Sequence, residues 1–434
     1  MTKPTDTIFA LSSGALPAGV AVVRISGPLA FEALIRLTGK PPGTARHAGL
    51  RSVRDSQTHL IDQALVISFV APHSFTGEDC VELQLHGSRA VVNAVLAELA
   101  AIDGCRLAEA GEFSRRAFEN GRLDLVEAEG LAELIAAETE MQRRLAVEQG
   151  FGGQSKLYEG WAKRLTFARA MIEAELDFAD EDDVPGAVGE QVTEEISSVQ
   201  KEIEDHLSAA KAGEIIRGGY KVAIVGPPNA GKSSLINFLA QRDIAIVTDI
   251  EGTTRDVLHV DLDMDGYLVR VFDTAGLRET SDIVEREGVR RAEQLIGQAD
   301  LVLLLAEIDS VAERCGVEAG DVLHIGTKLD IHGASSRYDI CLSTVTGEGT
   351  SVLREAIIAR IQRVWSGAVA PTRERQLLLL RETSLSVHSA LKASELELRA
   401  EHLRAAASSL GRITGQVDVE QLLDVIFSQF CIGK

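Results

Sequence analysis

The chain has 434 residues, enough for two or three domains of ordinary size. Hydrophobic residues make up 45% and charged residues 25%, which is typical of a globular protein and excludes intrinsic disorder, collagen and a small disulfide scaffold. With 44 basic and 65 acidic residues the formal net charge is −21, so the chain has no general excess of positive charge for nucleic-acid phosphates. Any contact with RNA must come from a local patch or a basic partner.

The five cysteines lie far apart and match no zinc-binding spacing, so we expect reduced thiols in a cytoplasmic protein. No run of 18 apolar residues is present, and we therefore expect no transmembrane helix and no membrane partner. The apolar stretch 8–23 is interrupted by Pro17 and by glycines, which makes it a poor signal peptide.

The first part of the chain, residues 1–118, has a mixed α/β pattern. Residues 19–25 and 64–70 predict buried strands, and residues 80–86 alternate with the period of a half-buried strand. A helical pattern follows over residues 89–102. We predict an N-terminal α/β domain.

The rest of the chain alternates between two kinds of pattern. Residues 119–216 are helical, residues 217–366 alternate between strand and helix, and residues 367–434 are helical again. One helical stripe has an apolar residue every three or four positions: Val192, Ile196, Val199, Ile203 and Leu207. The economical interpretation is an all-α domain in two sequence segments, interrupted by an inserted α/β domain.

The inserted domain begins with a phosphate-binding motif. Residues 220–225 predict a strand, residues 226–233 read G-x-x-x-x-G-K-S, and residues 235–240 predict a helix. Backbone N–H groups of such a loop bind phosphates, Lys232 reaches the β and γ oxygens, and the Ser233 hydroxyl can bind Mg²⁺. The predicted nucleotide-contacting residues of this loop are Asn229, Ala230, Gly231, Lys232, Ser233 and Ser234.

Two segments that accompany this loop in GTPases follow in the expected order. Thr253 and Thr254 bring hydroxyls that can reach Mg²⁺ and the γ-phosphate, and we assign the magnesium contact to Thr254. Asp273 and Gly276 belong to the sequence Asp-Thr-Ala-Gly after an apolar run, where the aspartate lies behind the direct ligands of the metal. Each segment alone is a weak signal, but the complete series predicts a GTPase.

A guanine-binding segment comes next. Lys328 and Asp330 belong to Thr-Lys-Leu-Asp, and the Asp330 carboxylate can accept two hydrogen bonds from guanine N1 and N2, which adenine cannot donate. Ser343 and Thr344 resemble the loop whose backbone N–H contacts guanine O6. GTPases usually have Asn where this chain has Thr327, so the amide that orients the loop is missing.

The residue that orients the attacking water is not obvious. Ras-like proteins use a glutamine directly after Asp-x-x-Gly, and this chain has Leu277 there. The loop that follows is rich in carboxylates, and any of these can position water: Glu279, Asp282, Glu285 and Glu287.

Several segments together resemble the MnmE (TrmE) family of tRNA wobble-uridine modification GTPases, over essentially the whole chain. They are 22–27 (VVRISG), 74–79 (SFTGED), 111–114 (GEFS), 226–234, 246–250 (IVTDI), 273–279 (DTAGLRE) and 430–434 (FCIGK). The resemblance implies a folate-binding and dimerisation domain at 1–118, a discontinuous helical domain at 119–216 and 367–434, and a Ras-like G domain at 217–366.

The resemblance also implies site residues. K⁺ would bind Asn229, Thr248, Ile250 and Thr253, and this cation stimulates hydrolysis when two G domains meet. The water-orienting carboxylate of the family corresponds to Glu285. The residues that match the tetrahydrofolate site are Arg24, Glu82, Arg122 and Lys434.

The implied reaction adds an aminomethyl or carboxymethylaminomethyl group to C5 of the wobble uridine of certain tRNAs. Its cofactors are GTP, Mg²⁺, K⁺ and 5,10-methylene-tetrahydrofolate or a formyl derivative. The implied partners are a second copy in a homodimer, tRNA, and an FAD-dependent MnmG-like subunit in a heterotetramer or larger complex. Two alternatives remain open: a GTPase switch in ribosome assembly, and a folate-dependent transferase in which GTP is only regulatory.

Overall fold

A computed structural model describes residues 6–177, 187–242, 244–245, 259–273, 296–309, 321–365, 370–417, 423, 426–428, 430 and 433. The chain divides into two compact units, one made of Met1–Ala132 and Gly411–Lys434 and the other of Glu133–Leu410. The second unit is therefore inserted in sequence into the first. The four-part division 1–118, 119–216, 217–366 and 367–434 stays a prediction.

The first unit contains a six-stranded sheet and four helices that begin within it, among the residues described. The elements are β1 (Thr7–Leu11), β2 (Ala18–Ser26), α1 (Ala30–Thr38), β3 (Gly49–Arg54), β4 (Leu60–Phe69), β5 (Cys80–Gly87), α2 (Arg89–Ala100), β6 (Cys105–Leu107), α3 (Glu112–Glu119) and α4 (Leu125–Ala136). The strands predicted at 19–25, 64–70 and 80–86 and the helix predicted at 89–102 are confirmed as β2, β4, β5 and α2.

The strand order of this sheet is β3-β4-β5-β2-β1-β6. Neighbouring strands are antiparallel except for the parallel pair β1 and β6. One face forms a core with α1 and α2, in which Val23, Leu83 and Val66 lie in one row across three strands. Because side chains alternate along a strand, the neighbouring residues point to the other face.

The other face of this sheet carries two exposed leucines side by side, in a row that continues through Gln84 to Val22. Leu50, Leu65, Gln84 and Val22 are cross-strand neighbours on four consecutive strands. Leu50 is 66% exposed and Leu65 is 42% exposed. Large apolar side chains in a contiguous exposed row are typical of an interaction surface.

The second unit contains the remaining described elements. They are α5 (Glu140–Gly150), α6 (Gly153–Asp177), α7 (Ala187–Ser208), α8 (Ala210–Gly218), β7 (Tyr220–Val225), α9 (Lys232–Arg242), β8 (Ile244–Ala245), β9 (His259–Met264), β10 (Tyr267–Asp273), β11 (Leu301–Glu307), β12 (Val322–Thr327), α10 (Leu329–His332), β13 (Ile340–Cys341), α11 (Thr350–Val364), α12 (Glu374–Lys392) and α13 (Leu396–Thr414).

The sheet of the second unit has the order β13-β12-β11-β7-β10-β9-β8. Strands β13, β12, β11, β7 and β10 are parallel, and β9 and β8 continue the sheet in antiparallel pairs. Its apolar core includes Leu235 and Leu239 of α9 and Leu353 and Ile357 of α11. Ligands of such sheets bind at the carboxyl ends of the strands, where neighbouring connections diverge.

The helices of this unit bury the predicted stripe. Helix α7 packs against α6 and α12, and Val192, Ile196, Val199 and Ile203 of α7 are buried. Tyr158 and Trp161 of α6 contact the ring of the buried His206 of α7, and the Tyr158 hydroxyl is hydrogen-bonded to that ring. Within the part of the chain that the structure describes, no helix combines the length and apolar character needed to cross a membrane.

Candidate nucleotide-binding site

The phosphate-binding motif lies where the sequence predicts it, between strand β7 and helix α9. Strand β7 is flanked by β10 and β11, so the loop sits at the centre of the carboxyl edge of the sheet. A Cβ atom at Gly226 would lie 2.4 Å from the carbonyl oxygen of Leu305 in β11. Only glycine therefore allows the loop to leave β7 so close to its neighbour.

Helix α9 begins at Lys232, earlier than the 235–240 predicted, so the motif lysine occupies the first turn. The Lys232 ammonium is largely buried and donates to the carbonyl oxygens of Gly226 and Pro227, each at 2.8 Å. Two loop carbonyls thus hold the cation at the mouth of the loop. Ser233 and Ser234 are exposed at the helix start, where backbone N–H groups favour an anion.

Asn229 is exposed at the tip of the loop and has a φ of 63°. Asparagine tolerates this left-handed conformation better than most residues. Ala230 is buried, and its N–H donates to the carbonyl of Pro227. The tip of the loop therefore presents a polar amide side chain to its surroundings.

Polar residues also lie at the carboxyl ends of β10, β11 and β12, next to the phosphate-binding loop. Asp273 ends β10 and pairs in register with Ile224 of β7. Glu307 ends β11 and Thr327 ends β12, and these two are register partners. A Cβ at Gly231 would lie 3.8 Å from Thr327, so the phosphate-binding loop and the guanine-binding segment are neighbours in space.

The guanine-binding segment is tied to the Ser343 loop. The Leu329 N–H donates to the carbonyl of Leu342 at 3.1 Å. The buried Ser343 hydroxyl accepts from the N–H groups of Val345 and Thr346, which orders this turn. Asp330 is exposed and Thr344 is half-buried, so the carboxylate is accessible to a base.

Thr327 does not replace the missing amide. Its hydroxyl is buried and donates to the carbonyl of Ala306 at 3.3 Å, across to strand β11. The Thr327 side chain lies beside Gly231 of the phosphate-binding loop, but its hydroxyl proton is used to hold two strands together.

A charged cluster that the sequence analysis missed surrounds Lys328. Its ammonium pairs with Glu307 Oε2 at 2.6 Å. The other Glu307 oxygen, Oε1, lies 2.9 Å from His332 Nε2, and His332 Nδ1 lies 2.8 Å from Asp309 Oδ2. The carboxylates of Glu307 and Asp309 raise the pKa of His332. Hydrogen bonds from Lys328 and His332 lower the pKa of Glu307. No local pattern shows this cluster, because strand pairing brings its members together.

The predicted folate residues of the first unit are partly brought together. Arg24 and Glu82 are cross-strand partners, with Arg24 Nη2 2.9 Å from Glu82 Oε1. The Arg24 guanidinium also lies over the rings of Phe75 and Phe113, at 4.9 and 5.6 Å from their centroids. Both charged side chains remain about one-fifth exposed. A ligand that binds here would therefore form hydrogen bonds to Arg24 and Glu82 while these two residues stay paired with each other.

Arg122 is exposed, and its Cγ is 3.2 Å from the position of a Cβ at Gly77. Gly77 belongs to the same segment as Phe75, so Arg122 is near this region of the first unit. Lys434 lies outside the described residues.

Several other predicted residues also lie outside the described part of the chain. They are Thr248, Ile250, Thr253, Thr254, Gly276 and Glu285, together with the side chain of Asp273. Their roles stay predictions. Among the described magnesium candidates, the exposed Ser233 hydroxyl offers an oxygen donor, the type that Mg²⁺ prefers.

The loop, the helix that follows it and the carboxyl edge of a mainly parallel sheet define a P-loop nucleotide-binding protein. Family models described as "GTP-binding protein TrmE N-terminus" and "MnmE helical domain" match residues 7–122 and 125–431. The chain belongs to the MnmE family. The predicted fold class, an α/β N-terminal domain with a helical domain and an inserted G domain, is confirmed.

Curated relatives agree over their full length. The chain is 58% identical over 438 residues to the tRNA modification GTPase MnmE of Sinorhizobium medicae, covering 99% of each chain. It is 52% identical over 440 residues to the protein of the same name from Brucella canis, covering 99% of this chain and 98% of the relative. Among solved structures, the G domain of the T. maritima FeoB iron transporter is 30% identical over 32% of this chain and 97% of that chain, with a TM-score of 0.25.

Proposed function

We propose that the chain is a cytoplasmic GTP hydrolase that modifies C5 of the wobble uridine in certain tRNAs. The observation that carries the proposal is the phosphate-binding loop, which holds the Lys232 ammonium and whose Gly231 lies beside Thr327, at the start of the guanine-binding segment. The assignment to tRNA rests on the name of the relatives, which are tRNA modification GTPases.

In this proposal different residues bind the phosphates and the base of the nucleotide. The loop N–H groups and the start of α9 bind the phosphates, and the Lys232 ammonium leaves its two carbonyls to meet the β and γ oxygens. The exposed Asp330 accepts from guanine N1 and N2. Ser233 and Thr254 would hold Mg²⁺, which would offset the charge of the phosphates.

The first unit would bind the one-carbon donor, 5,10-methylene-tetrahydrofolate or a formyl derivative. Glu82 can accept from the adjacent N–H groups of a pterin, and Arg24 already holds the carboxylate in a fixed orientation. Phe75 and Phe113 offer aromatic surface beside it. Arg122 and Lys434 would supply cations for the glutamate tail.

We also propose a homodimer and an FAD-dependent MnmG-like partner in a heterotetramer or larger complex. The exposed apolar row of Leu50 and Leu65 supports a protein interface on the first unit. The net charge of −21 supports a partner that helps to bind tRNA.

GTP hydrolysis should be faster in K⁺ than in Na⁺ at equal ionic strength. A fixed cation beside the β and γ phosphates offsets charge that develops in the transition state, and Asn229 presents an uncharged amide oxygen at the tip of the loop. The measurement is the steady-state rate of phosphate release in each salt. Asn229→Gly removes the amide without straining the φ of 63°, and it should abolish the difference between salts. Equal rates for the wild-type chain in both salts would contradict the K⁺ role.

Mass spectrometry of tRNA tests the proposed function directly. Cells that lack the protein should lose the aminomethyl-type groups on wobble uridine, and the wild-type chain should restore them. Lys232→Ala should fail to restore them, because it cannot bind GTP. Restoration by this variant would favour a folate-dependent transferase with regulatory GTP, and normal wobble uridine without the protein would favour a ribosome-assembly switch.

A further inference from the structure

The guanine-binding segment lacks its usual asparagine, and the structure holds its lysine in another way. The Lys328 backbone has a φ of 61°, a strained conformation for a residue with a side chain. The Thr327 hydroxyl before it is committed to the Ala306 carbonyl. The Thr327 side chain packs beside Gly231 but has no amide group, and other side chains hold the segment from Lys328 to Asp330.

The charged cluster described above supplies this restraint from the neighbouring strand. Glu307 Oε2 holds the Lys328 ammonium at 2.6 Å, directly across from Thr327 in the β11–β12 register. The Glu307 backbone is fixed as well, because its carbonyl accepts from the Tyr338 hydroxyl at 3.2 Å. The carboxylate is thus attached to the end of a paired strand and reaches the segment that begins at Lys328.

His332 closes the cluster from the other end of the same segment. Its two ring nitrogens contact two carboxylates, Glu307 at 2.9 Å and Asp309 at 2.8 Å. A neutral imidazole has one N–H, so both contacts are hydrogen bonds donated by the ring only when His332 is protonated. Helix α10, which carries Asp330, therefore lies between two attachments to Glu307, one before it at Lys328 and one at its last residue.

We propose that Glu307 and His332 are positioning residues for guanine recognition, which clamp the Lys328–Asp330 segment in place of the missing asparagine. This inference rests on the proposed GTP site. It predicts that guanine-nucleotide affinity depends on the charge of Glu307 and on the protonation of His332.

The direction of the pH effect follows from the contacts. The groups that face His332 are the carboxylates of Glu307 and Asp309. Glu307 in turn contacts the Lys328 ammonium through its carboxylate and the Tyr338 hydroxyl through its backbone carbonyl. The carboxylates raise the pKa of His332 above its ordinary 6.5. The clamp is therefore complete below about pH 6.5, and it is lost as the pH rises through the raised pKa.

The test titrates the full-length chain with fluorescent N-methylanthraniloyl-GDP at pH 6.0, 7.0, 8.0 and 9.0. We expect Glu307→Gln to weaken binding by about 1.5–5-fold at pH 7, the range for a partly exposed ion pair. His332→Asn should lose only the part of the pH dependence that comes from His332. Its affinity should fall below that of the wild-type chain most at pH 6.0, and the two affinities should converge at pH 9.0. In turnover assays both variants should raise KM for GTP and leave kcat at saturating GTP within about twofold.

His324→Asn is the matched control. His324 also contacts a carboxylate, with Nδ1 3.3 Å from Asp339 Oδ2, but it lies within strand β12, where its register partner in β11 is Leu304. This control should keep the wild-type pH slope, which includes any titration of the nucleotide phosphates. Thermal melting of all variants without nucleotide checks that each is folded.

Three outcomes would overturn the inference. If Glu307→Gln and His332→Asn both keep the wild-type affinity and pH slope, the positioning role is refuted and the proposed GTP site is unaffected. An equal loss of slope in His324→Asn would show a general effect on the sheet. No binding of the guanine nucleotide by the wild-type chain would overturn this inference and the proposed function together.

Discussion

Lys232→Ala should abolish tight GTP binding, with an affinity loss of roughly 10²-fold or more. The ammonium is the main point charge at the phosphate-binding loop and is held at its mouth by the carbonyls of Gly226 and Pro227. Without it the loop itself offers the β and γ phosphates only neutral N–H donors. Equilibrium titration with a guanine nucleotide measures the effect.

Lys221→Ala is the matched control for this variant. Lys221 lies near the start of β7, at the opposite end of the strand from the phosphate-binding loop. The Lys221→Ala substitution removes the same charge as Lys232→Ala. It should bind GTP like the wild-type chain. Because Lys232 also satisfies two loop carbonyls, thermal melting must show that Lys232→Ala stays folded. Wild-type affinity in a folded Lys232→Ala would refute the assignment of this loop.

Glu285→Ala should leave GTP affinity nearly unchanged and reduce kcat by roughly 10²–10⁴-fold. Leu277 occupies the position of the usual glutamine, so another polar group must orient the attacking water. Glu285 follows Asp273 on the segment that responds to the γ-phosphate, and it matches the catalytic carboxylate of the family. A residue that contacts water in the transition state contributes little to ground-state binding.

The measurements are nucleotide affinity and turnover at saturating GTP in K⁺. Glu285→Gln should keep part of the rate if orientation of water matters more than proton transfer. Near-normal turnover in Glu285→Ala would transfer the role to Glu279, Asp282 or Glu287. A large loss of affinity would instead identify Glu285 as a binding residue.

The sequence predicted the elements that depend on local pattern. The strand, loop and helix around Gly226 and Lys232 are where the motif requires them, because glycine spacing and apolar period are properties of short segments. The apolar stripe of α7 was found for the same reason. The helix start was predicted three residues too late, since the first turn carries the polar motif residues.

Contacts that depend on strand register were not predictable in this way. Arg24 and Glu82 were each predicted as ligand residues, but their pairing follows from the β2–β5 register. No sequence pattern predicts a role for Glu307, because an acidic residue at a strand end has no distinctive pattern. Its role becomes visible only when β11 and β12 place it opposite Thr327 and next to Lys328.

The insertion of the second unit sets an order of events during synthesis on the ribosome. Leu125 and Ala128 of α4 pack with Leu423, Phe427 and Phe430, which come from beyond the whole of Glu133–Leu410. These apolar side chains of α4 leave the ribosome early and stay without their native partners while the second unit is made. The apolar cluster around α4 is thus completed only after the second unit has been synthesised.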